Sequence, residues 1–542
     1  MRRRLLFYLF LTWAVLCNTF AQSSGELCFS LHAEPKTFNP LQAADEASET
    51  VRYLTGGVLI RVNRKTQAFE PGLAVSWRVL DAGRKISFEL RQGVSFSDGT
   101  PFSAEDVAFT MRALTDPGLH SPVGDSFRPA SGSVSTTVSG THRITISFPA
   151  PVAGLERLFD QLIIESSKSP QKEKAVLGPF CVADYKPGSY VLLRRNPYYW
   201  KRDDSGRQLP YLEYMRLDTQ QSRETEMLRF RRGEIHLINN LDPGMFDRLA
   251  AVSPASARDA GPSLESEMMW FNQVPTSPLA GYKKIWFRSQ NFRLAISEAI
   301  NRNDIVRVVY HGHGSPAVGP FSPANRFWFN QSLKPPPFDP QAALRRLNQD
   351  GFRKEGGSLK DRDGHPVEFS LITNAGNKTR ERIAAMVQQD LSQLGIRLNV
   401  VTLDFASLIE RISQTFDYEA CLLGLVNVDL DPDAQMNVWL SSADQHIWNP
   451  HQKSPETAWE AEMDRLMQGQ ATTIDPNVRK AYFDKVQEIV WQQAPFLYLV
   501  TRNALTAISP SVQNADPGVL WPQAFWNAER LRLTSDGAGG EK

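Results

Sequence analysis

His311 and His313 form the closest histidine pair in the chain, with Gly312 between them. On a strand, two residues of spacing would project both imidazoles from one face, as some metal sites require. No carboxylate–histidine helix motif accompanies them, and the neighbouring Gly and Pro favour turn histidines. No nucleophile elbow, P-loop or dinucleotide fingerprint is present. Acidic residues are plentiful, but no spacing singles out a glycosidase-like carboxylate pair. What remains is recognition chemistry. Asp45 and Glu46 follow Asn39-Pro40, Asn374 and Asn377 flank Gly376, and Asn427 and Asp429 end an apolar run. The indoles of Trp439 and Trp448 can stack on a sugar or side chain. Each has a plainer alternative: helix-start carboxylates, turn-forming amides, core tryptophans.

The elements that would position these groups alternate between strand and helix. Ile86, Phe88 and Leu90 alternate with polar neighbours, and Val94 and Phe96 repeat the pattern after Gln92-Gly93. Asp98-Gly99 makes a turn, and Ser103 opens a helix with Asp106 three residues on. Strands are expected over 27–31, 143–148, 190–193, 418–425 and 496–500, and helices over 48–59 and 287–310. Residues 118–140 read as loop. The clearest unit is a helix over 380–394 with Ile383, Val387, Leu391 and Leu394 on one stripe. Gly395 then caps it, and Ile396, Leu398 and Val400 alternate into a strand. Asp339-Pro340 and Asp475-Pro476 each start a helix. The pattern is α/β without an internal repeat.

A basic triplet, Arg2 to Arg4, precedes an apolar stretch from Leu5 to Leu16 that is short for a bilayer span. Thr19-Phe20-Ala21 supplies small residues for cleavage, so 1–21 reads as a signal peptide and the product as exported. Leu16 before Cys17 argues against a lipid anchor there. The 542 residues carry a net charge of +1, and removing the three leader arginines leaves about −2, which gives no electrostatic reason to bind nucleic acid. Cys28, Cys181 and Cys421 match no metal spacing. They read as three buried thiols, or as one disulfide with a spare thiol.

The string from Leu73 to Arg112, LAVSWRVLDAGRKISFELRQGVSFSDGTPFSAEDVAFTMR, resembles the signature of family 5 extracellular solute-binding proteins, the oligopeptide- and dipeptide-binding partners of ABC importers. Gly178-Pro179-Phe180, the Asn196-Pro197-Tyr198-Tyr199-Trp200 block, the 292–302 helix and Leu391 to Ile396 resemble further family blocks in the same order. The resemblance implies a two-lobed periplasmic binding protein fold, type II and cluster C-like, with an extra domain in lobe I and a two-strand hinge. It places the lobe I core in 22–58, 176–270 and 501–533, the extra domain in 59–175, lobe II in 271–500 and a disordered tail in 534–542. Trp270, Phe271 and Asn272 would mark the hinge. A monomer that closes on a small solute or oligopeptide is implied, delivering to an inner-membrane permease with cytoplasmic ATPase subunits. No enzyme activity, metal or cofactor is implied.

The ligand is less determined. In peptide-binding members an Asp after the buried strand of lobe II holds the peptide amine. Aligned on Gly424 and Asp431-Pro432, that position is Val428 here. Asp429 would face away, and Asp45 could supply the missing charge. Peptide remains the default ligand, with oligosaccharide, metal chelate or haem as the alternative and a secreted hydrolase as a remote one.

Overall fold

Two long antiparallel strands, Ala257–Phe271 and Phe496–Ile508, run through both halves of the molecule. They lie at the centre of an eleven-stranded sheet. Around Glu265–Phe271 the next strands are Ala420–Val426, Glu368–Asn374 and Arg397–Leu403, and Gly314–Pro316 pairs with the second crossing strand. At the other end come Leu237–Ile238, Glu26–Leu31, Tyr214–Thr219, Tyr190–Arg195 and Phe180–Lys186. This computed structural model describes residues 25–119, 121–127, 132–169, 174–426 and 430–534. Among them no helix is long and apolar enough to cross a membrane.

Each half has its own core. Leu505, Ala507 and Ile508 pack with Leu237, Ile238 and the first strand, whereas Met268 to Phe271 and Phe496 to Val500 pack with residues 286–490. The register of the crossing pair breaks three times between Asp259 and Met268. Breaks of this kind loosen a ladder and bend it. The residues expected at the hinge lie beyond them, inside the second half. Trp270 donates to the Tyr418 hydroxyl at 3.1 Å. Phe271 stacks on Phe287 at 4.9 Å. Asn272 donates to the Phe416 and Tyr418 carbonyls, each at 2.8 Å. All three are buried in that core.

The signature string supplies Ala74–Leu80 and Lys85–Leu90 to a separate four-stranded sheet, which Arg143–Ser147 and Ser135–Val138 complete. Val94 and Phe96 are buried but flank Ser95, which makes an isolated bridge to Pro101, and they form no strand. Helix Ala104–Thr115 begins with a capping box, in which Ser103 N–H donates to Asp106 at 2.8 Å. The second Asp106 oxygen accepts from Ser167 N–H at 2.8 Å, so this buried carboxylate ties the helix to a distant loop. Residues 118–140 include a short helix, Pro122–Asp125, and the strand Ser135–Val138.

The 287–310 stretch is three helices: Gly281–Arg288, Gln290–Ala299 and Arg302–Val309. Ser289 ends the first and its hydroxyl caps the second, and Asn301 caps the third. Capping groups inside an apolar period override it. Between Glu368–Asn374 and its parallel neighbour Arg397–Leu403 runs helix Lys378–Gln393, with Ile383, Val387 and Leu391 buried as the stripe requires. Gly395 follows at φ +84°, where a Cβ would sit 2.6 Å from the Gly357 carbonyl. Cys28, Cys181 and Cys421 are buried, and they form no disulfide with one another.

Candidate functional site

A cavity of about 700 Å³ lies where the signature sheet's domain, the first half and the crossing strand meet. Its size suits a small solute. Tyr53, Trp200 and Trp521 give aromatic wall, and Leu430 closes it from the second half. Leu430 packs with Val62 and Leu520, each from a different part of the chain. Two further contacts join the signature domain to the second half. Gln67 accepts from Arg326 N–H at 3.3 Å and donates to the Ala324 carbonyl. Gly154 lies against Asp431, which pairs with Arg479 at 2.9 Å.

Charge is concentrated on one wall. Glu529 Oε1 accepts from Arg61 Nη1 at 2.7 Å and from Lys201 Nζ at 2.9 Å. Burial pushes the Glu529 carboxyl up, but the two cations more than offset this and hold it at about 2. Burial likewise disfavours the Arg61 cation, and Glu529 more than compensates. Arg64 pairs with Asp160 at 2.9 Å, and Asp160 also accepts from Val62 N–H at 2.7 Å. Arg61 further donates to the Tyr53 hydroxyl at 3.2 Å and the Trp526 carbonyl. Nothing in the sequence announces this cluster, because positions 61, 201 and 529 share no local spacing.

The residues singled out from sequence do not converge. Glu46 lines the cavity, exposed at the start of helix Glu46–Thr55. Asp45 is that helix's cap: Oδ1 accepts from Ser48 N–H at 3.0 Å and Oδ2 from its hydroxyl at 2.7 Å. Burial alone would raise the Asp45 carboxyl, yet these bonds leave it below its ordinary range. Asp45 is therefore engaged as a cap, and it is not among the residues that line the cavity. Asn374 accepts from Arg380 Nη1 at 3.0 Å, steering that guanidinium onto Glu267 at 2.8 Å.

Trp439 and Trp448 are 1 % and 0 % exposed, packed on Phe496 at 5.9 and 5.0 Å. They are core, with no face for a ligand. Asn427, Val428 and Asp429 lie outside the described residues. His311 and His313 sit on a loop bonded to Asp247 at 2.6 and 2.9 Å. The one group of candidate metal ligands among the described residues, Asp361, Asp363 and His365, belongs to a tight turn in which Asp361 accepts from the other two backbone N–H groups.

Two cores joined by a pair of crossing strands, with an interdomain cavity of mixed polarity, define a two-lobed solute-binding protein. The sequence profile of the bacterial extracellular solute-binding proteins, family 5 Middle, matches residues 68–446, and the chain belongs to that family. It is 24 % identical to the oligopeptide-binding protein AppA of Bacillus subtilis over 526 residues, covering 91 % of this chain and 89 % of AppA. The substrate-binding protein CtaP of Listeria monocytogenes superposes with a TM-score of 0.79 at 21 % identity, covering 95 % of this chain and all of CtaP. NikA of Brucella suis, solved with Fe(III)-EDTA, gives 0.79 at 20 % identity, covering 94 % of this chain and all of NikA. The chain is thus a substrate-binding protein of the ABC importer class and not an enzyme.

Proposed function

We propose that this protein captures a peptide-like solute in the cavity between its lobes, closes on it, and delivers it in the periplasm to an ABC permease driven by cytoplasmic ATPase subunits. The observation that carries this reading is the cavity wall itself. It offers a cationic cluster at Arg61 and Lys201, a carboxylate at Glu46 and aromatic surface between them, which suits a molecule bearing both charges. Its relatives' peptide ligands agree with it. Lobe closure follows from the contacts across the cleft, because a ligand that bridges both lobes favours the state in which they meet. The three register breaks between Asp259 and Met268 support a hinge in that stretch.

Native mass spectrometry of protein secreted into a bacterial periplasm tests the reading. Release of short peptide masses on denaturation supports it. Release of a hexose-spaced series or a metal chelate overturns it in favour of the alternative that Val428 raises.

A further inference from the structure

Helix Pro243–Val252 belongs to the first half, where Phe246 and Leu249 pack with Leu505 and Ala507. Tyr310 belongs to the second half, where it packs with Leu499 and Val500. Residues 311–313 follow Tyr310 and lead into the strand Gly314–Pro316. Across this boundary Asp247 Oδ2 meets His311 Nδ1 at 2.6 Å, and Asp247 Oδ1 meets His313 Nε2 at 2.9 Å. The other nitrogen of His313, Nδ1, meets Asp259 Oδ2 at 3.1 Å. Asp259 flanks the first register break of the crossing pair. Asn503, on the second crossing strand, holds both partners: its side chain donates to Asp259 at 2.9 Å, and its N–H to the His313 carbonyl at 3.1 Å. Phe246 packs edge-on against the His313 ring at 4.6 Å. None of Asp247, Asp259, His311 and His313 lines the cavity.

A carboxylate only accepts, and a neutral imidazole has a single N–H. His313 faces a carboxylate at each nitrogen, so it donates to both only as the imidazolium. Burial alone would raise the Asp247 carboxyl, but the two imidazoles more than offset this and hold it below its ordinary range. The charge that changes near neutrality is therefore on the histidines, whose range is about pH 5–8. With both rings protonated the two carboxylates are balanced, and with both neutral they are not. The surrounding charges have partners of their own. Arg248 pairs with Glu224 at 3.6 Å, Arg307 with Asp304 at 2.7 Å, and Arg502 with Glu265. Asp242 caps its helix by accepting from Met245 N–H at 2.9 Å, and Arg258, beside Asp259, is exposed.

We infer that Asp247, Asp259, His311 and His313 form a proton-operated clasp beside the hinge, which favours the lobe arrangement described above while the histidines are charged and releases it as they lose their protons. This rests on a hinge in the stretch from Asp259 to Met268. A bend there moves the helix that carries Asp247 against the loop that carries both histidines, and contacts of 2.6–3.1 Å survive only a small rotation. A solute that bridges both lobes favours the state in which they meet, so its retention strengthens in acid and weakens above neutrality. Pairs this exposed each contribute modestly, which suits a bias on an equilibrium.

Single-molecule energy transfer on the ligand-free protein tests this, with dyes at Lys186→Cys in the first half and Arg345→Cys in the second. Both positions are exposed, whereas the three native cysteines outside the leader are buried. The quantity read is the ratio of the population whose dye distance matches this structure to the rest. From about pH 5.5 to about pH 8.5 that ratio is expected to fall about 3-fold or more in the wild type, and less than about 1.5-fold in His311→Asn/His313→Gln. Asparagine is chosen because it tolerates the φ of +53° at His311. His313→Lys keeps a charge at the higher pH and should retain part of what the wild type loses, which mere disruption of the loop would not do. Thermal melts confirm that all variants are folded. Two populations whose ratio ignores pH, or shifts the other way, overturn the clasp and leave the hinge standing. A shift that persists undiminished in the double variant puts the response in other groups and also overturns it. A single distance at every pH in every protein removes the hinge and the clasp together.

Discussion

A Cβ on Gly154 would lie 2.6 Å from Asp431 Oδ2, across the boundary between the signature domain and the second lobe. Asp431 is buried and fixed by Arg479, so it has no easy direction in which to yield. This contact between the two parts therefore needs glycine there for space as well as for its φ of +62°. Gly154→Val should hold the lobes apart, and small-angle scattering should show a larger radius of gyration than the wild type. Gly93→Val is the control: it carries a similar φ of +69° with nothing within 4 Å, and should leave the radius unchanged. Equal radii in all three proteins would remove Gly154 from the closure.

Trp448 tests the distinction between core and ligand surface. Its indole packs on Phe496 at 5.0 Å and donates to Glu460 at 3.4 Å, with no exposed area. Trp448→Ala should cost about 3–5 kcal/mol in urea denaturation. A variant of unaltered stability that has lost only affinity would put the ring back in the binding site.

What the sequence made legible was local. Ser103 and Asp106, Asp475-Pro476, Asp339-Pro340 and Gly395 all act through neighbours within a few residues, and each stands where its pattern puts it. The apolar stripe of Ile383, Val387 and Leu391 works for the same reason. The 287–310 stretch misled because apolar periodicity does not register a mid-segment cap such as Ser289. Trp439 and Trp448 left stacking on a ligand open beside the core reading, because the sequence does not show the Phe496 strand arriving from far away to cover them. Glu529 was invisible for a deeper reason: its meaning depends on two cations, 468 and 328 residues away in sequence.

Arg293 and Arg302, on successive helices, are both buried and both donate to backbone carbonyls. Arg302 is buried and donates to the Tyr498 and Ser297 carbonyls and the Ser297 hydroxyl, each at 2.7 Å, with burial lowering its pKa to about 10. It gathers acceptors at the end of helix Gln290–Ala299, where the helix dipole favours a cation. Arg302→Met leaves those carbonyls unsatisfied and should cost about 2–4 kcal/mol by urea denaturation. Arg302→Lys keeps the charge but not the fork, and should recover only part of that loss. Full stability of Arg302→Met would contradict the role.

Glu529 makes the last prediction, in acid. Its folded pKa of about 2 lies below that of an unfolded glutamate, about 4.3, so the folded state holds fewer protons between the two. The stabilisation is fully present above the unfolded value and is lost as pH falls from about 4.3 towards 2. A shift of this size corresponds to a contribution on the order of 3 kcal/mol. Glu529→Gln cannot titrate, and it leaves Arg61 and Lys201 without their shared counter-charge. It should be less stable than the wild type at pH 7, and the gap should narrow as pH drops through that window, because the wild type loses what the variant never had. Thermal melts of both proteins from pH 7 to pH 2.5 read this directly. Parallel curves would mean that Glu529 is not held ionised by Arg61 and Lys201, and the charge balance drawn for the cavity wall would have to be redrawn.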